Sequence, residues 1–296
     1  MRDDRVYAAQ AERLNSIGSR TELWRLFVAF VIVMMASFGL GAVLSAVLER
    51  TMSPGWVADL QQGKTAGALL VLLFSFAFVT IGVHLAARIL QGRGLPDIVG
   101  PASQTVRQFI RVLFFLVILT IALMVLPPYS FGEPLEINMP LSRWVMLLPV
   151  SLAALLVQTS AEEVLFRGYI QQALAVRFRS RWVFLLVPSA LFALGHYQPA
   201  MAEENAGLIA LWAGVFGVLM ADLTARAGTL GPAIAMHFFN NLTAVVIVAS
   251  PSSLNGLALY LLPYELSDGQ ALRPWLAVDF ALMLVGWLVA RLAIRR

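Results

Sequence analysis

Hydrophobic residues in this chain are gathered into long runs, and short polar segments separate the runs. A helix rises 1.5 Å per residue, so a run of roughly 18 to 25 apolar residues crosses the ~30 Å hydrocarbon core of a bilayer. The pattern predicts an all-α fold, a polytopic membrane helix bundle with about eight transmembrane helices. The predicted spans are 24–47, 66–90, 109–127, 143–162, 183–199, 206–225, 231–250 and 274–294.

The segments between the runs carry helix-breaking glycine and proline, as in Pro127-Pro128 after the third run. No repeat or low-complexity linker divides the chain. A single transmembrane domain is therefore predicted for residues 23–296. Residues 1–22 are rich in charge and have no apolar core, which predicts a cytosolic N-terminal tail rather than a cleavable signal peptide.

Composition agrees with a bilayer as the solvent. Apolar residues make up 59% of the chain and charged residues 13%, and the mean hydropathy is +0.79. Soluble domains carry about 25% charged residues. The net charge of +4 does not indicate nucleic acid as a partner, because the basic residues lie in the loops between helices. The chain has no cysteine, which excludes disulfides and thiolate chemistry.

The distribution of lysine and arginine orients the predicted bundle. With both termini on one side, that side holds 17 basic residues, whereas the opposite side holds four, namely Arg50, Lys64, Arg143 and Arg273. Basic residues favour the cytosolic side of a membrane. Both termini are therefore predicted to be cytosolic, and the fourth and fifth helices are predicted to be joined in the cytosol. The single lysine, Lys64, is a bias typical of GC-rich bacterial genomes, so a bacterial cytoplasmic membrane is the predicted location.

Ionisable groups inside apolar runs cost about 2.5–3.5 kcal/mol each and therefore mark candidate functional sites. The fourth run ends with Glu162 and Glu163, and Arg167 follows Glu163 by one helical turn. Glu163 and Arg167 can pair on one helix face, whereas Glu162 lies about 100° round the helix and is left for chemistry. A competing interpretation is that both acids mark only the emergence of the helix among lipid headgroups.

Two further pairs of polar or aromatic residues are each one helical turn apart. They are Phe192 with His196 and His237 with Asn241. Residues at this spacing share a helix face. A lone histidine in a membrane more often bonds two helices together than catalyses a reaction, but here two histidines accompany an acid pair.

Counting residues tests whether these groups lie at one depth. If the fourth and fifth helices form a hairpin that turns near Ser180, Glu162 and His196 lie about 27 and 24 Å from the turn. His237 lies roughly 9 Å from the cytosolic start of the seventh helix. All three meet only if the fourth and fifth helices project beyond the bilayer on the cytosolic side.

The three motifs, in this order on successive helices, resemble those of the CAAX prenyl protease and bacteriocin-processing (CPBP, Abi) family, which includes the type II CAAX endoproteases. The resemblance covers about residues 143–250, the expected catalytic core. It implies an eight-helix core with a cavity open to the cytosolic side, in which a peptide bond is hydrolysed. The implied catalytic residues are Glu162 and His196, which activate water, and His237 and Asn241, which stabilise the oxyanion. The implied supporting residues are Glu163, Arg167 and Phe192.

The chemistry suits these residue types, since amide hydrolysis needs a base for water and donors directed at the developing oxyanion. Neutral His237 and the Asn241 amide can serve as the donors. We expect chemistry without a cofactor. Zinc is an alternative, because Glu162, His196 and His237 are a known type of catalytic ligand set.

Two other functions are alternative interpretations of the sequence. Asp279 in the last run suits a small proton-coupled transporter that uses intramembrane acids. A non-catalytic immunity or scaffold membrane protein would keep the fold without the chemistry. The expected partners of the enzyme are membrane lipid and a membrane-associated or lipidated peptide or protein.

Overall fold

The computed structural model describes residues 6–14, 20–127 and 134–295. Of these residues, 80% are helical. The first half of the chain contains helices α1 to α7, with a π-helical segment, π1, at the end of α5. Their bounds are α1 Ala8–Leu14, α2 Leu23–Thr51, α3 Pro54–Gln62, α4 Ala66–Ser75, α5 Ala77–Ala86, π1 Ala87–Gln91, α6 Leu95–Val99 and α7 Ala102–Val125.

The second half contains the remaining helices and three two-residue strands. The helical bounds are α8 Leu141–Glu163, π2 Val164–Ile170, α9 Gln171–Arg177, α10 Arg181–Gly195, α11 Pro199–Ala202, a 3₁₀ turn Glu203–Asn205, α12 Ala206–Ala227, α13 Gly231–Asn241, π3 Leu242–Ile247 and α14 Gly269–Ile294. The strands are β1 Glu136–Ile137, β2 Val248–Ala249 and β3 Tyr260–Leu261. The chain is thus a polytopic helical bundle, as predicted.

Each of the eight predicted spans coincides with an apolar helix in the described part of the chain. Six of these helices are long and apolar enough to cross a membrane, and the other two, Arg181–Gly195 and Gly231–Ile247, are shorter. The predicted span 183–199 is too long at its end, because the helix stops at Gly195. The number of helices that cross the membrane and the side on which the termini lie stay predictions.

Helix ends follow the local sequence. Ser53 and Thr65 precede α3 and α4, and each side-chain oxygen accepts a hydrogen bond from a backbone N–H of the first turn. Asp268 does the same for α14, where it accepts from two N–H groups. Such caps satisfy donors that the first turn leaves unpaired. Gly228 ends α12 in the left-handed conformation, at φ 72°, which glycine adopts without strain.

The helix that carries the acid pair is unusually long. α8, π2 and α9 form one continuous helix of 37 residues, Leu141–Arg177. At 1.5 Å per residue it measures about 55 Å, well beyond a ~30 Å hydrocarbon core. It therefore projects from the bilayer, as the alignment of the three motifs requires. α10 returns antiparallel to it after Phe178.

A small sheet closes the opposite end of the bundle from the α9–α10 turn. β3 lies between the other two strands, antiparallel to β1 and parallel to β2. The Asn138 amide donates to the backbone carbonyls of Asn255 and Ala258, each at 2.8 Å. The segment between π3 and α14 is thereby held against the loop that precedes α8.

The predicted N-terminal tail includes a helix that packs on the bundle. α1 is held by the hydroxyl of Tyr7, which donates to the Asp222 carboxylate at 2.8 Å, and by Arg13, which donates to the carbonyl of Gly228 at 2.5 Å. Burial and the Asp222 carboxylate raise the pKa of Tyr7 to about 12. The tyrosine thus stays a hydrogen-bond donor at every physiological pH.

Close helix contacts depend on small residues, and α12 offers a paired test of this. A Cβ added at Gly217 would lie 3.0 Å from the Cα of Ser189 on α10, whereas one at Gly207 would meet no atom within 4 Å. Gly217→Ala is expected to separate the two helices and to cost about 1–3 kcal/mol of stability. Gly207→Ala should be neutral or gain up to about 1 kcal/mol from helix propensity. Thermal unfolding of the detergent-solubilised variants measures both, and equal midpoints would contradict the contact.

The absence of cysteine makes the predicted orientation testable by labelling. Ser180 lies in the α9–α10 turn, and Gly55 lies at the start of α3 with open space around it. With both termini cytosolic, Gly55→Cys is expected to react with a membrane-impermeant maleimide in intact cells. Ser180→Cys should react only after the membrane is permeabilised. The reverse pattern would overturn the predicted topology.

Candidate active site

The two glutamates lie where the long helix changes from α to π geometry. Glu162 and Glu163 are the last two residues of α8, and Arg167 lies within π2. π-helical turns occur often at functional sites, because they reorient side chains within an otherwise continuous helix. Arg167 Nη1 lies 3.0 Å from Glu163 Oε1, and both side chains are fully buried. The ion pair predicted from their spacing is therefore present.

His237 connects the two glutamates. Its Nδ1 lies 2.7 Å from Glu163 Oε1, and its Nε2 lies 3.4 Å from Glu162 Oε2. An ionised carboxylate only accepts hydrogen bonds, so Nδ1 carries a hydrogen. In the neutral ring, Nε2 then presents a lone pair. His237 donates from Nε2 only as an imidazolium, which differs from the neutral donor expected from the sequence.

Phe192 fills the space between the charged groups and the histidines. Its ring centroid lies 4.3 Å from that of His196 and 5.9 Å from that of His237. The guanidinium of Arg167 lies over the same ring, 4.6 Å from its centroid. A cation over an aromatic face is stabilised by the ring quadrupole, more so in a dry site. Phe192 therefore packs against both histidines and Arg167.

His196 is the C-cap of α10, and its ring is held by its own helix. The Nδ1 of His196 lies 2.9 Å from the backbone carbonyl oxygen of Phe192. Because a carbonyl only accepts, Nδ1 carries the hydrogen, and the neutral ring keeps a lone pair on Nε2. His196 is partly exposed. It can therefore accept a hydrogen bond from a water molecule at Nε2.

Asn241, the last residue of α13, reaches the acid-bearing helix through a residue outside the three motifs. Its Nδ2 donates to Oε1 of Gln158 at 3.0 Å. Gln158 lies on α8 one turn before Glu162 and is only 6% exposed. Sequence reasoning missed it, although a glutamine inside an apolar run, four residues before a glutamate, was a usable signal.

The side chains of Glu162 and Glu163 differ in how far they are exposed. The side chain of Glu163 is fully buried and that of His237 is 3% exposed, whereas that of Glu162 is 15% exposed. Oε2 of each glutamate has no hydrogen-bond partner among the described residues. Exposure therefore distinguishes the two acids, and Glu162 is the one that water can reach.

Comparison with known proteins agrees with this arrangement. Residues 144–243 match the family described as "Type II CAAX prenyl endopeptidase Rce1-like". The chain is also 30% identical over 258 residues to "Uncharacterized protein YyaK" of Bacillus subtilis (strain 168), an alignment that covers 82% of this chain and 84% of the relative. The chain belongs to the Rce1-like family. No solved structure matches it.

Every residue of the candidate site lies inside the matched Rce1-like region. It contains the acid pair, both histidines, Asn241 and also Gln158. The long apolar helices outside the match add the surface that makes the chain an integral membrane protein, and they are α2, α4 with α5 and π1, α7 and α14. The family assignment thus rests on the same helices that build the site.

Metal ligation is the remaining chemical alternative for this Rce1-like site. Both histidines present Nε2 while Nδ1 is bonded to an oxygen, which is the usual orientation of histidine ligands. Yet in the described ranges no three His, Asp or Glu side chains lie close enough together to hold one metal ion. Glu162, His196 and His237 are therefore not placed in this structure to share one metal ion.

A second set of ionisable residues lies on α12 and serves the fold. Arg226 Nε lies 2.7 Å from Asp222 Oδ2, and the same carboxylate accepts from Tyr7 and from the indole of Trp287. Asp222 and Arg226 are four residues apart, the spacing at which oppositely charged side chains pair on a helix. Among the residues described, Asp279 on α14 is not a partner in the hydrogen bonds of the Asp222 set or in those of the candidate site.

Proposed function

We propose that this Rce1-like chain is an intramembrane endopeptidase that hydrolyses a peptide bond of a membrane-associated or lipidated peptide or protein. One observation carries the proposal. The Glu162 side chain is 15% exposed, beside a fully buried Glu163–Arg167 pair. Water and substrate must reach a general base, which the partly exposed Glu162 allows and the fully buried Glu163 does not.

In the proposed reaction a water molecule lies between Glu162 and His196. Glu162 takes a proton from the water, and the water oxygen adds to the scissile carbonyl carbon. The other hydrogen of the water donates a hydrogen bond to His196 Nε2. The tetrahedral intermediate collapses when the C–N bond breaks, and protonated Glu162 returns its proton to the leaving amine. The products are a carboxylic acid and an amine, which exchange a proton to become a carboxylate and an ammonium group, so atoms and charge balance.

The developing oxyanion needs donors, and Asn241 is the first of them. Its Nδ2 has two hydrogens, of which one is bonded to Gln158 and the other is available. His237, whose Nδ1 is held against Glu163 Oε1, is the second donor when both ring nitrogens carry a hydrogen. Donors fixed in a site that excludes water stabilise an oxyanion far better than water does.

The family description points to prenylated CAAX peptides as the substrate class to test first. The proposal includes a bacterial cytoplasmic membrane as the location and a site that faces the cytosol. The long helix that carries Glu162 and Glu163 projects from the bilayer at its arginine-rich end, and basic residues favour the cytosolic side. Membrane lipid and the peptide are its partners, and no nucleic acid is involved.

The test uses purified protein in liposomes with a fluorescence-quenched farnesylated CAAX peptide and the same peptide without the lipid. Cleavage of the farnesylated peptide by wild type, but not by Glu162→Gln, is expected. Membrane-associated peptides of cells that express either protein are compared in parallel, because this comparison assumes no particular substrate. No cleavage together with identical peptide pools would overturn the proposed function, and counter-ion-dependent uptake into the liposomes would favour a transporter instead.

A further inference from the structure

Gln158 is a buried polar side chain that none of the three motifs contains. It lies on α8, where its neighbours in sequence are apolar or bond only to their own helix. Its Oε1 accepts from Asn241 Nδ2 at 3.0 Å across two helices. Burial of an amide in a membrane helix is costly unless it is bonded, so this contact requires an explanation.

The contact fixes the rotation of the Asn241 amide. The terminal torsion of asparagine is broad and roughly two-fold, so an unrestrained amide can present either its oxygen or its nitrogen. Here Asn241 Oδ1 accepts from Asn240 Nδ2 at 3.1 Å, while Nδ2 donates to Gln158. Both ends of the amide are thereby assigned, and one Nδ2 hydrogen is left over.

Gln158 and Glu162 lie on the same face of one rigid helix, four residues apart. The proposed base and the anchor of the proposed oxyanion donor therefore share one frame. Water attack and oxyanion binding occur at the same carbonyl group, so their relative placement controls the rate. Errors of about 1 Å in such placement cost on the order of 10²-fold.

We propose that Gln158 is a positioning residue of the hydrolysis, which holds Asn241 so that its free Nδ2 hydrogen is directed at the oxyanion. This inference rests on the proposed function. Gln158 does not touch the reacting atoms and acts through Asn241 alone. Its loss therefore affects the transition state, in which the oxyanion exists, more than it affects binding of the substrate.

The experiment measures kcat and KM for the farnesylated CAAX peptide with the full-length protein in liposomes. Gln158→Leu is expected to lower kcat about tenfold and to leave KM within about twofold, because one oxyanion donor is worth roughly 10²–10³ in kcat and here it is only misdirected. Asn241→Ala is expected to lower kcat about 100-fold. The double variant should be no slower than Asn241→Ala alone, since Gln158 then has nothing to hold.

Thr159→Val is the matched control. Thr159 is fully buried on the next position of α8, and its hydroxyl bonds only to its own helix, to the carbonyl of Leu155 at 2.9 Å. The kcat of Thr159→Val should equal that of wild type. Gln158→Met replaces Gln158→Leu if the latter does not fold, as judged by its thermal unfolding midpoint.

Outcomes for Gln158 and for the proposed function are distinguishable in this assay. If Glu162→Gln is inactive but Gln158→Leu keeps the kcat of wild type, the positioning role alone is wrong. Multiplied effects in the double variant, or a loss confined to KM, would also overturn it. A wild-type protein that fails to cleave the peptide, in cells whose peptide pools match those of Glu162→Gln, removes the proposed function, and the positioning role with it.

Discussion

Glu162→Gln is expected to lower the rate of peptide hydrolysis by about 10³-fold or more while the fold stays intact. A positioned general base contributes roughly 10²–10⁴-fold, and glutamine cannot take a proton from water. The amide has the same shape as the carboxylate, and Glu162 is outside the fully buried ion pair. Initial rates with the farnesylated CAAX peptide measure the loss, and circular dichroism and thermal unfolding measure the fold.

Glu136→Gln is the control for this prediction, because Glu136 is an exposed carboxylate in β1, at the other end of the bundle. Its rate should match that of wild type. A Glu162→Gln protein that retains a third or more of the wild-type rate would show that another group is the base. An inactive but unfolded protein would instead make Glu162 a structural residue.

Arg167→Met is expected to have the largest effect on stability, a loss of about 3–5 kcal/mol of the free energy of unfolding. The substitution leaves the fully buried Glu163 carboxylate without its cation, and breaking a buried ion pair in this way typically costs that much. It also removes the guanidinium from the face of Phe192. For a chain of this size the thermal unfolding midpoint should fall by roughly 10 °C.

Arg273→Met is the matched control, since Arg273 pairs with Glu204 at 3.2 Å while both side chains are at least half exposed. An exposed pair is worth about 0–1 kcal/mol. Adding Glu163→Gln to Arg167→Met should recover part of the lost stability, because it removes the unpaired charge. Equal unfolding midpoints for Arg167→Met and Arg273→Met would show that the buried Glu163–Arg167 pair contributes no more to stability than the exposed pair does.

The membrane architecture could be predicted largely from the chain's hydrophobic pattern. Long apolar runs specify helices because a bilayer offers the backbone no other partners. The pairing of Glu163 with Arg167 followed from helical spacing alone. The early end of α10 at Gly195 was harder to predict from the sequence, because the polar residues after His196 form a separate short helix and turn.

The contacts between helices could not be predicted in this way. Periodicity gives the face of each residue on its own helix, but the rotation of one helix against another depends on packing. His237 therefore contacts both glutamates, although its sequence motif paired it only with Asn241. The link from Asn241 to Gln158 was missed for the same reason. The π segments were missed because their extra residue per turn leaves no distinctive mark in an apolar run.

The docked N-terminal helix implies an order of events during synthesis. The hydrogen bond from Tyr7 to Asp222 joins residues 215 positions apart. At a ribosomal rate of about 5–20 residues per second, the first helix leaves the ribosome at least ~10 s before its binding surface on α12 exists. It therefore waits undocked while the intervening helices are inserted, and closure of this end of the bundle is among the last steps of folding.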